Sequence, residues 1–324
     1  MKKIRFGILG AAGIARKALI PAIQRSKNAE VTAIASGSGK AEQFASEFNI
    51  PKVYGTYDEL LADPDIDAVY IPLPNHLHKK WTLLAAEAGK HVLCEKPAAL
   101  TSEDAAEMAE VCQQNRVVFM EAFMYQFHPQ HERVKEIIQS GEIGEVKFIH
   151  SAFTFPLDPT VNNIRLNKEV GGGSLFDVGC YCIHAARMIT GEEPTSIQGS
   201  AAIHPELQVD VNFVGMLTFP SGVIASFNSS FEQQRRNVYE IYGTEGSIKL
   251  PFAFRPDEQE EGGLIVVEDA DGVVKEERVT GDQYTLQVEH FADCVATGKE
   301  PMYSGKDTVK NMQVIEELLE KIKS

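Results

Sequence analysis

FGILGAAGIA, residues 6–15, is the stretch that decides the fold of this chain. A short apolar run ends at Gly10, small residues follow, and a helical pattern begins directly after them. A strand, a tight glycine turn and a helix in this order form the first step of a parallel sheet. Backbone N–H groups at the start of such a helix favour an anion. The stretch therefore predicts a phosphate-binding turn at a sheet edge.

The glycines of this turn match the dinucleotide fingerprint G-x-G-x-x-G/A in part. Gly10, Ala12 and Ala15 stand at the three fixed positions, and Gly13 is an additional glycine. Ala12 leaves a pyrophosphate slightly less room than glycine would. A tight turn that binds nothing is the alternative interpretation.

The same alternation continues through the first third of the chain. The β-rich runs EVTAIAS, DAVYIPL and KHVLCE alternate with amphipathic helical patterns. This predicts an α/β protein that begins with a Rossmann domain, a doubly wound parallel sheet over residues 1–121. Thr101 followed by Asp104 predicts a helix N-cap.

After about residue 120 the pattern changes to strands joined by short turns. The runs SIQGSAAIH, VDVNFVGMLTF and GVIASFNSSF alternate apolar and polar residues. They predict a meander with one buried face, within a large, mostly antiparallel open sheet. Two helical patterns, at 286–296 and 306–322, end the chain. We therefore expect residues 122–324 to form a second domain of the α+β type.

Charge and cysteine content exclude several kinds of protein. The chain has 31 Lys and Arg against 46 Asp and Glu, a net charge of −15, so we expect no nucleic-acid partner. No run approaches the roughly 20 apolar residues of a membrane span. Five cysteines, an odd number, suit a reducing compartment, and we expect a cytoplasmic protein. Cys180 and Cys182 lack a second pair at metal-site spacing, so we expect no metal site.

The segment after the second predicted strand bears on the choice of nucleotide. NAD enzymes commonly place an acidic residue there, on the ribose hydroxyls. This chain has Ser36-Gly37-Ser38-Gly39-Lys40 instead, with two hydroxyls and a cation. These groups favour the 2′-phosphate of NADP. NAD is the alternative, and a flexible turn would select neither nucleotide.

Further motifs, spread over essentially the whole chain, carry a resemblance to a known family. They are PNHLH at 74–78, CEKP at 94–97, EAFMYQFHPQ at 121–130, NIRL at 163–166, GGGSLFDVGCY at 171–181 and GTEGSIKL at 243–250. With the glycine turn, they resemble the glucose–fructose oxidoreductase/inositol dehydrogenase (Gfo/Idh/MocA) family. Within it, the chain is similar to the branch of dimeric dihydrodiol dehydrogenase and NADP-dependent xylose dehydrogenase.

The resemblance implies hydride transfer between NAD(P) and a carbinol carbon of a sugar, polyol or cyclic diol. It also implies that residues 122–324 bind the substrate and mediate oligomerisation. The lysine of the family's EKP motif is Lys96, and the aspartate and the acid/base that follow the glycine run are Asp177 and Tyr181. The expected cofactor contacts are Gly10, Ala12, Gly13, Ile14, Ser36, Ser38, Lys40, Pro72, Leu73, Asn75, His78, Glu95 and Lys96. The expected substrate contacts are Met124, Phe155, Arg165, Asp177, Tyr181 and His184.

The oxidation of an alcohol explains why a tyrosine, a lysine and an aspartate are needed. Oxidation of an alcohol needs a base for the O–H proton while hydride leaves the carbon. A tyrosine phenol ionises at about pH 10 in water, so it is a poor base at neutral pH unless an ammonium group favours the phenolate. We therefore expect Lys96 to assist Tyr181, and Asp177 to hold a neighbouring hydroxyl.

The helical spacing after the glycine run agrees with such a site. At about 100° per residue, Asp177, Tyr181 and His184 fall on one side of the helix, opposite apolar residues, and Ser174 is the predicted N-cap. An ordinary amphipathic helix also has a polar stripe, although usually of Lys, Glu and Gln. His184 is either a supporting residue or a substrate contact.

Two positions depart from the relatives. Gln126 stands where they usually have arginine, so no cationic contact is carried over there. Gly37 stands where they tend to have arginine, so the preference for NADP depends on Ser36, Ser38 and Lys40.

Two other functions compete with catalysis. One is a non-catalytic dinucleotide-binding sensor or regulatory protein, and the other is a scaffold that assembles through its sheet. An uncovered apolar sheet face needs a partner, so we expect a homodimer or larger homo-oligomer through that face in any case.

Overall fold

The computed structural model describes residues 2–161 and 163–322. The chain divides into two units, of which the first comprises Met1–Met124 and Tyr284–Met312, and the second Tyr125–Gln283 and Gln313–Ser324. Of the predicted second domain, residues 162, 323 and 324 lie outside the described residues. Residues 284–312 belong to the first unit, although the sequence placed them in that second domain. The functional division of the chain at residue 121 stays a prediction.

Six parallel strands form the sheet of the first unit. They are β1 (Ile4–Leu9), β2 (Ala29–Ala35), β3 (Lys52–Tyr54), β4 (Ala68–Ile71), β5 (His91–Cys94) and β6 (Phe119–Glu121). Their order in the sheet is β3-β2-β1-β4-β5-β6, with every neighbouring pair parallel. This is the strand order of the doubly wound fold, which binds ligands where the order reverses, beside β1. The predicted Rossmann sheet is confirmed.

Helices connect these strands. They are α1 (Ile20–Arg25), α2 (Ala41–Phe48), α3 (Tyr57–Ala62), α4 (Asn75–Glu87) and α5 (Ser102–Gln114). A π-helical turn, Ala15–Leu19, leads directly into α1. The Thr101 hydroxyl accepts a hydrogen bond of 3.1 Å from the Asp104 N–H, so the predicted cap of α5 is confirmed.

Eight strands form the sheet of the second unit. They are β7 (Val146–Thr154), β8 (Ser196–Ile203), β9 (Asp210–Thr218), β10 (Ile224–Ser230), β11 (Arg236–Gly243), β12 (Gly246–Leu250), β13 (Gly263–Asp269) and β14 (Val274–Val279). Their order is β14-β13-β12-β11-β7-β10-β9-β8, and β7 runs parallel to β10 and antiparallel to β11. The expected mostly antiparallel sheet is confirmed. It is two meanders joined through β7, however, and not one.

One face of this sheet is covered and the other is open. The helices that precede β7 and β8 are α6 (Pro129–Ser140) and α7 (Cys180–Thr190), and α7 packs against β7 and β10. A second π-helical turn, Leu175–Gly179, leads directly into α7. Side chains on the covered face, among them Phe213, Leu217 and Phe227, are buried. The strand register places Phe148, Val214, Met216, Ile224 and Tyr242 together on the open face.

The last two helices are α8 (Gln283–Thr297) and α9 (Gly305–Lys321). Residues of α8 pack within the first unit, where the ring centroid of Phe291 lies 5.6 Å from that of Phe6. The Asn28 side-chain amide donates hydrogen bonds to the Glu289 carbonyl (2.9 Å) and to the Asp293 carboxylate (2.7 Å). These contacts join α8 to β1 and to Asn28, the residue directly before β2.

Among the helices of residues 2–161 and 163–322, none has the length and apolar character that crossing a bilayer requires.

Candidate active site

The glycine turn after β1 leaves open space at the start of the next helix. Gly10 has a φ of +121°, a conformation that side chains disfavour, and a Cβ there would lie 2.9 Å from the Leu73 side chain. Apart from the glycine itself, its two chain neighbours and the nearby backbone of its own helix, no heavy atom of the described residues lies within 4 Å of the place that a Cβ on Gly13 would take. Ala12 and Ile14 flank this opening and are half-buried. The turn thus allows the close backbone approach that a pyrophosphate needs.

The turn after β2 is polar and largely exposed. The Ser36 hydroxyl lies 2.8 Å from the Ser38 hydroxyl and accepts a hydrogen bond of 3.3 Å from the Ser38 N–H. Ser38 and Lys40 are exposed, and residues 36–40 include no acidic side chain. This turn has hydroxyls and a cation and lacks a carboxylate that would repel a phosphate. It therefore fits a phosphorylated ribose better than one with two free hydroxyls.

His78 joins the loop after β4 to the loop after β5. Its ring is fully buried, with Nε2 2.7 Å from the Leu73 carbonyl oxygen and Nδ1 2.9 Å from the Pro97 carbonyl oxygen. Burial lowers the pKa of His78 to about 4, so the ring is neutral at physiological pH. A neutral imidazole has one N–H, so it donates to one of the two carbonyls at a time. The predicted contact of His78 with a cofactor stays a prediction.

The segment that contains Lys96 directly follows β5 at the carboxyl end of the sheet. Burial holds the pKa of the Tyr70 phenol well above its ordinary value, and this phenol donates a hydrogen bond of 2.5 Å to the Glu95 carboxylate. The Ala98 N–H donates to the Glu121 carboxylate over 2.9 Å. These bonds hold Glu95 and Ala98, which lie on either side of Lys96, and Lys96 itself is half-buried.

The other residues predicted in the first unit lie in its loops. Pro72, Leu73 and Asn75 lie between β4 and the first turn of α4, and Leu73 and Asn75 are half-buried. Met124 is buried, in the short 3₁₀ turn that follows β6.

In the second unit, Asp177 forms an ion pair with Arg165. The distance from Arg165 Nε to Asp177 Oδ2 is 2.6 Å, with 39% of the arginine side chain and 15% of the aspartate side chain exposed. The sequence predicted both residues as substrate contacts, and the structure brings them together. The pair fixes the carboxylate and leaves the two groups with no net charge.

Tyr181 lies one turn further along the helix, among aromatic rings. It is 4% exposed, and its ring centroid lies 5.3 Å from that of Phe153 and 5.7 Å from those of Tyr125 and Phe254. Phe155, which the sequence predicted, packs on Phe231 with centroids 5.3 Å apart. Phe153 lies near the end of β7 and Phe155 directly follows that strand, so the sequence pattern indicated this stretch but did not distinguish the two.

His184 is buried and contacts Tyr125. The Tyr125 hydroxyl and His184 Nδ1 are 2.5 Å apart. Burial lowers the pKa of His184 well below its ordinary value and raises that of Tyr125, so both groups are neutral and the phenol donates. This geometry describes a support for Tyr125, which in turn contacts Tyr181. Contact of His184 with a substrate stays a prediction.

The predicted side-chain N-cap at Ser174 is wrong. Ser174 has helical backbone angles and makes no cap hydrogen bond; its hydroxyl instead donates to the Asp210 carboxylate over 2.7 Å. Asp210 also accepts a hydrogen bond of 2.7 Å from the Leu175 N–H. Asp210 was not predicted, although a single acid between Val209 and Val211, in a strand with no other ionisable side chain, could have indicated it.

Over residues 2–161 and 163–322, no three His, Cys, Asp or Glu side chains are grouped so that they could hold a metal ion.

The parallel sheet with its glycine turn defines a protein of the dinucleotide-binding class, and the second unit adds the helix with Asp177 and Tyr181. Residues 4–123 match the family model described as "Oxidoreductase family, NAD-binding Rossmann fold", and residues 131–249 match that of the GFO/IDH/MocA C-terminal domain. The chain therefore belongs to the GFO/IDH/MocA family, as the sequence motifs predicted.

Curated relatives and solved structures cover nearly the whole chain. D-xylose 1-dehydrogenase (NADP(+)) 2 of Haloferax volcanii is 40% identical over 97% of this chain and 96% of the relative. Trans-1,2-dihydrobenzene-1,2-diol dehydrogenase of Xenopus laevis is 32% identical over 87% of this chain and 86% of the relative. A 3-ketoreductase from Actinomadura kijaniata, solved with NADP and TDP-benzene, has a TM-score of 0.93 at 31% identity, with 99% of this chain and 98% of that chain covered.

Proposed function

We propose that this protein is an NADP-dependent oxidoreductase that transfers hydride between the nicotinamide and a carbinol or carbonyl carbon of a sugar, polyol or cyclic diol. Tyr181 is the acid/base and Lys96 assists it. The observation that carries the proposal is the helix that presents an Arg165-paired Asp177 and, four residues on, Tyr181 among aromatic rings. The reactions in the relatives' names, on xylose and on a dihydrodiol, support this substrate class.

The first unit offers the groups that would hold the cofactor. The open turn at Gly10 and Gly13 suits the pyrophosphate, and Ser36, Ser38 and Lys40 suit a 2′-phosphate. NADP is part of the Haloferax enzyme's name and is bound in the Actinomadura structure, which supports NADP over NAD. When bound, the nicotinamide accepts or supplies the hydride.

The proton chemistry belongs to the chain's own side chains. In the oxidative direction, the Tyr181 oxygen takes the proton of the reacting hydroxyl, and in the reductive direction it returns the proton to the new alkoxide. The Lys96 ammonium favours the phenolate and donates a hydrogen bond to the reacting oxygen. Asp177, held by Arg165, accepts a hydrogen bond from a neighbouring hydroxyl and so orients the substrate.

The charges and rings also point to an uncharged substrate. Arg165 and Asp177 together carry no net charge, so an anionic substrate would gain little from the arginine. Aromatic rings beside Tyr181 offer an apolar wall to the carbon face of a sugar or diol ring. A neutral aldose, polyol or diol satisfies both features.

The first experiment screens aldoses, polyols, diols and α-dicarbonyls by NAD(P)H absorbance with both cofactors. Tyr181→Phe is expected to lower kcat by roughly 10²–10⁴-fold, because the proton loses its carrier. Lys96→Met should lower kcat as well, and both variants should keep NADPH affinity in fluorescence titration. Tyr242→Phe removes a hydroxyl from the open sheet face of the same unit and serves as the matched control. Unchanged turnover in Tyr181→Phe would refute its role.

A non-catalytic sensor is the second candidate, and the same screen separates it from the enzyme. A sensor binds NADPH tightly and turns over no member of the panel. Assembly without any dinucleotide binding would instead favour a scaffold.

A further inference from the structure

Asp210, the first residue of β9, holds the start of the helix that carries the proposed catalytic pair. It is 3% exposed, and its Oδ2 accepts hydrogen bonds of 2.7 Å from both the Ser174 hydroxyl and the Leu175 N–H. Leu175 is the first residue of the π-helical turn, and Asp177 lies within that turn. A buried carboxylate with two short bonds to one turn fixes that turn firmly.

Gly173 and Ser174 both lie against the Asp210 carboxylate. Gly173 has a φ of +119°, and a Cβ on it would collide with Asp210 Oδ1. Ser174 lies next to a second strand as well, since its hydroxyl is 3.0 Å from the Ser229 hydroxyl and 3.3 Å from the Ser229 carbonyl oxygen. The helix start is thereby tied to both β9 and β10.

We infer that Asp210 is a positioning residue whose ionisation makes the placement of Asp177 and Tyr181, and hence turnover, depend on pH. The inference rests on the proposed function, because it assigns a task to that helix. Asp210 acts through Ser174 and Leu175 and touches no reacting atom. The ionised carboxylate accepts both bonds, whereas the protonated form is a weaker acceptor and loosens the turn.

The titration range follows from the environment of Asp210. Burial raises the pKa of its carboxyl to about 6, and the hydrogen bonds from Ser174 and Leu175 oppose that rise. The neighbouring strands β8 and β10 carry no ionisable side chain, and Asp210 is the one acid of β9. The helix start contributes Asp177, paired with Arg165, and the preceding loop contributes the exposed Lys168 and Glu169.

Two substitutions distinguish the effect of the hydrogen bonds that Asp210 accepts from the effect of its charge. Asp210→Asn does not titrate, and its amide oxygen, a stronger acceptor than the carbonyl oxygen of a protonated carboxyl, keeps the bonds from Ser174 and Leu175. In the reductive direction, where Tyr181 must carry its proton, its kcat should stay near that of the wild type at pH 7.5, and the fall in wild-type kcat below pH 6 should be absent. Asp210→Ala removes the bonds, and its kcat should fall by roughly 100-fold, with KM for NADPH little changed. Asp158→Asn, an exposed carboxylate of the same unit that caps its own loop, is the control.

Some outcomes overturn the inference. If a folded Asp210→Ala variant keeps its kcat, Asp210 does not position the helix. If Asp210→Asn keeps the acidic fall in kcat, the pH dependence lies elsewhere. Should the alanine variant not fold, Ser174→Ala removes one of the two bonds and should show a smaller loss of the same kind; unchanged kcat there contradicts the inference.

A further readout needs no turnover, so it distinguishes this inference from the proposed function. The folded carboxyl keeps a proton between about pH 4 and pH 6 that the unfolded chain has lost. The stability due to that proton is complete below about pH 4 and is lost as the pH rises through about 6. Asp210→Asn should therefore gain in unfolding midpoint over the wild type across this window, and amide exchange at 175–179 should be faster in Asp210→Ala. If wild type and Asp210→Asn keep a constant difference, the inference fails, whereas an inactive wild type refutes only the proposed function.

Discussion

At the scale of single residues, His78 has clearly defined contacts in the loops on either side of it. His78 is fully buried between the carbonyl oxygens of Leu73 and Pro97 and is neutral at physiological pH. Leu73 also packs where a Cβ on Gly10 would lie. The three loops that follow β1, β4 and β5 thus depend on one another through His78 and Leu73.

Replacing His78 should destabilise the protein. His78→Ala leaves a cavity and two buried carbonyl oxygens without the ring, which together cost about 2–4 kcal/mol in the free energy of unfolding. His76→Ala, two residues away on the same helix but exposed, should change it by less than about 0.5 kcal/mol. Urea denaturation of both variants measures the difference. Equal stabilities would show that His78 does not brace these loops.

At the scale of elements, local patterns predicted well and long-range placement did not. The strand–helix alternation gave the parallel sheet, and Thr101 gave the start of α5, because each depends on neighbours in sequence. The position of β7 between β10 and β11 depends on pairing with residues 76 to 97 positions later in the chain, which no local period encodes.

The difference between local patterns and long-range contacts also explains which parts of the site the sequence predicted. The helical spacing of Asp177 and Tyr181 is local and was visible, and their roles remain predictions. The hydrogen bonds of Asp210 to Ser174 and Leu175 cross 36 and 35 positions, so an N-cap at Ser174 was the natural expectation from composition alone. In the structure, the Ser174 hydroxyl contacts Asp210 and Ser229 instead of capping the helix.

The turn between β2 and α2 should determine nucleotide preference. Lys40→Ala removes the cation proposed to meet the 2′-phosphate, so the dissociation constant for NADPH should rise roughly tenfold, while that for NADH stays the same. Lys299→Ala, an exposed lysine of the same unit, should alter neither value. Fluorescence titration with both nucleotides provides the test. A parallel loss of NADH affinity would contradict the assignment.

At the scale of the whole molecule, the open face of the second sheet carries several exposed apolar side chains. Val214 is 56% exposed, Met216 38%, Ile224 39% and Tyr242 41%, and the register places them on one side. Neighbouring apolar side chains on one face favour association. Assembly of a homo-oligomer through this face remains a prediction.

A charge on this face should prevent assembly. Met216→Glu would bury a carboxylate in the interface, which costs several kcal/mol, so the variant should sediment as a monomer at concentrations where the wild type does not. Met302→Glu places the same charge on an exposed methionine of the first unit and should leave the mass unchanged. Identical sedimentation of wild type and Met216→Glu would refute association through this face.

The return of the chain to the first unit also sets an order of events during synthesis. Strands β1 to β6 leave the ribosome early, but Glu289, Phe291 and Asp293, which contact Asn28 and Phe6, come from α8. At roughly 5–20 residues per second, the nascent strands wait on the order of ten seconds or more for these partners. Chaperones that shield apolar surface on growing chains would therefore have their main window here, before α8 emerges.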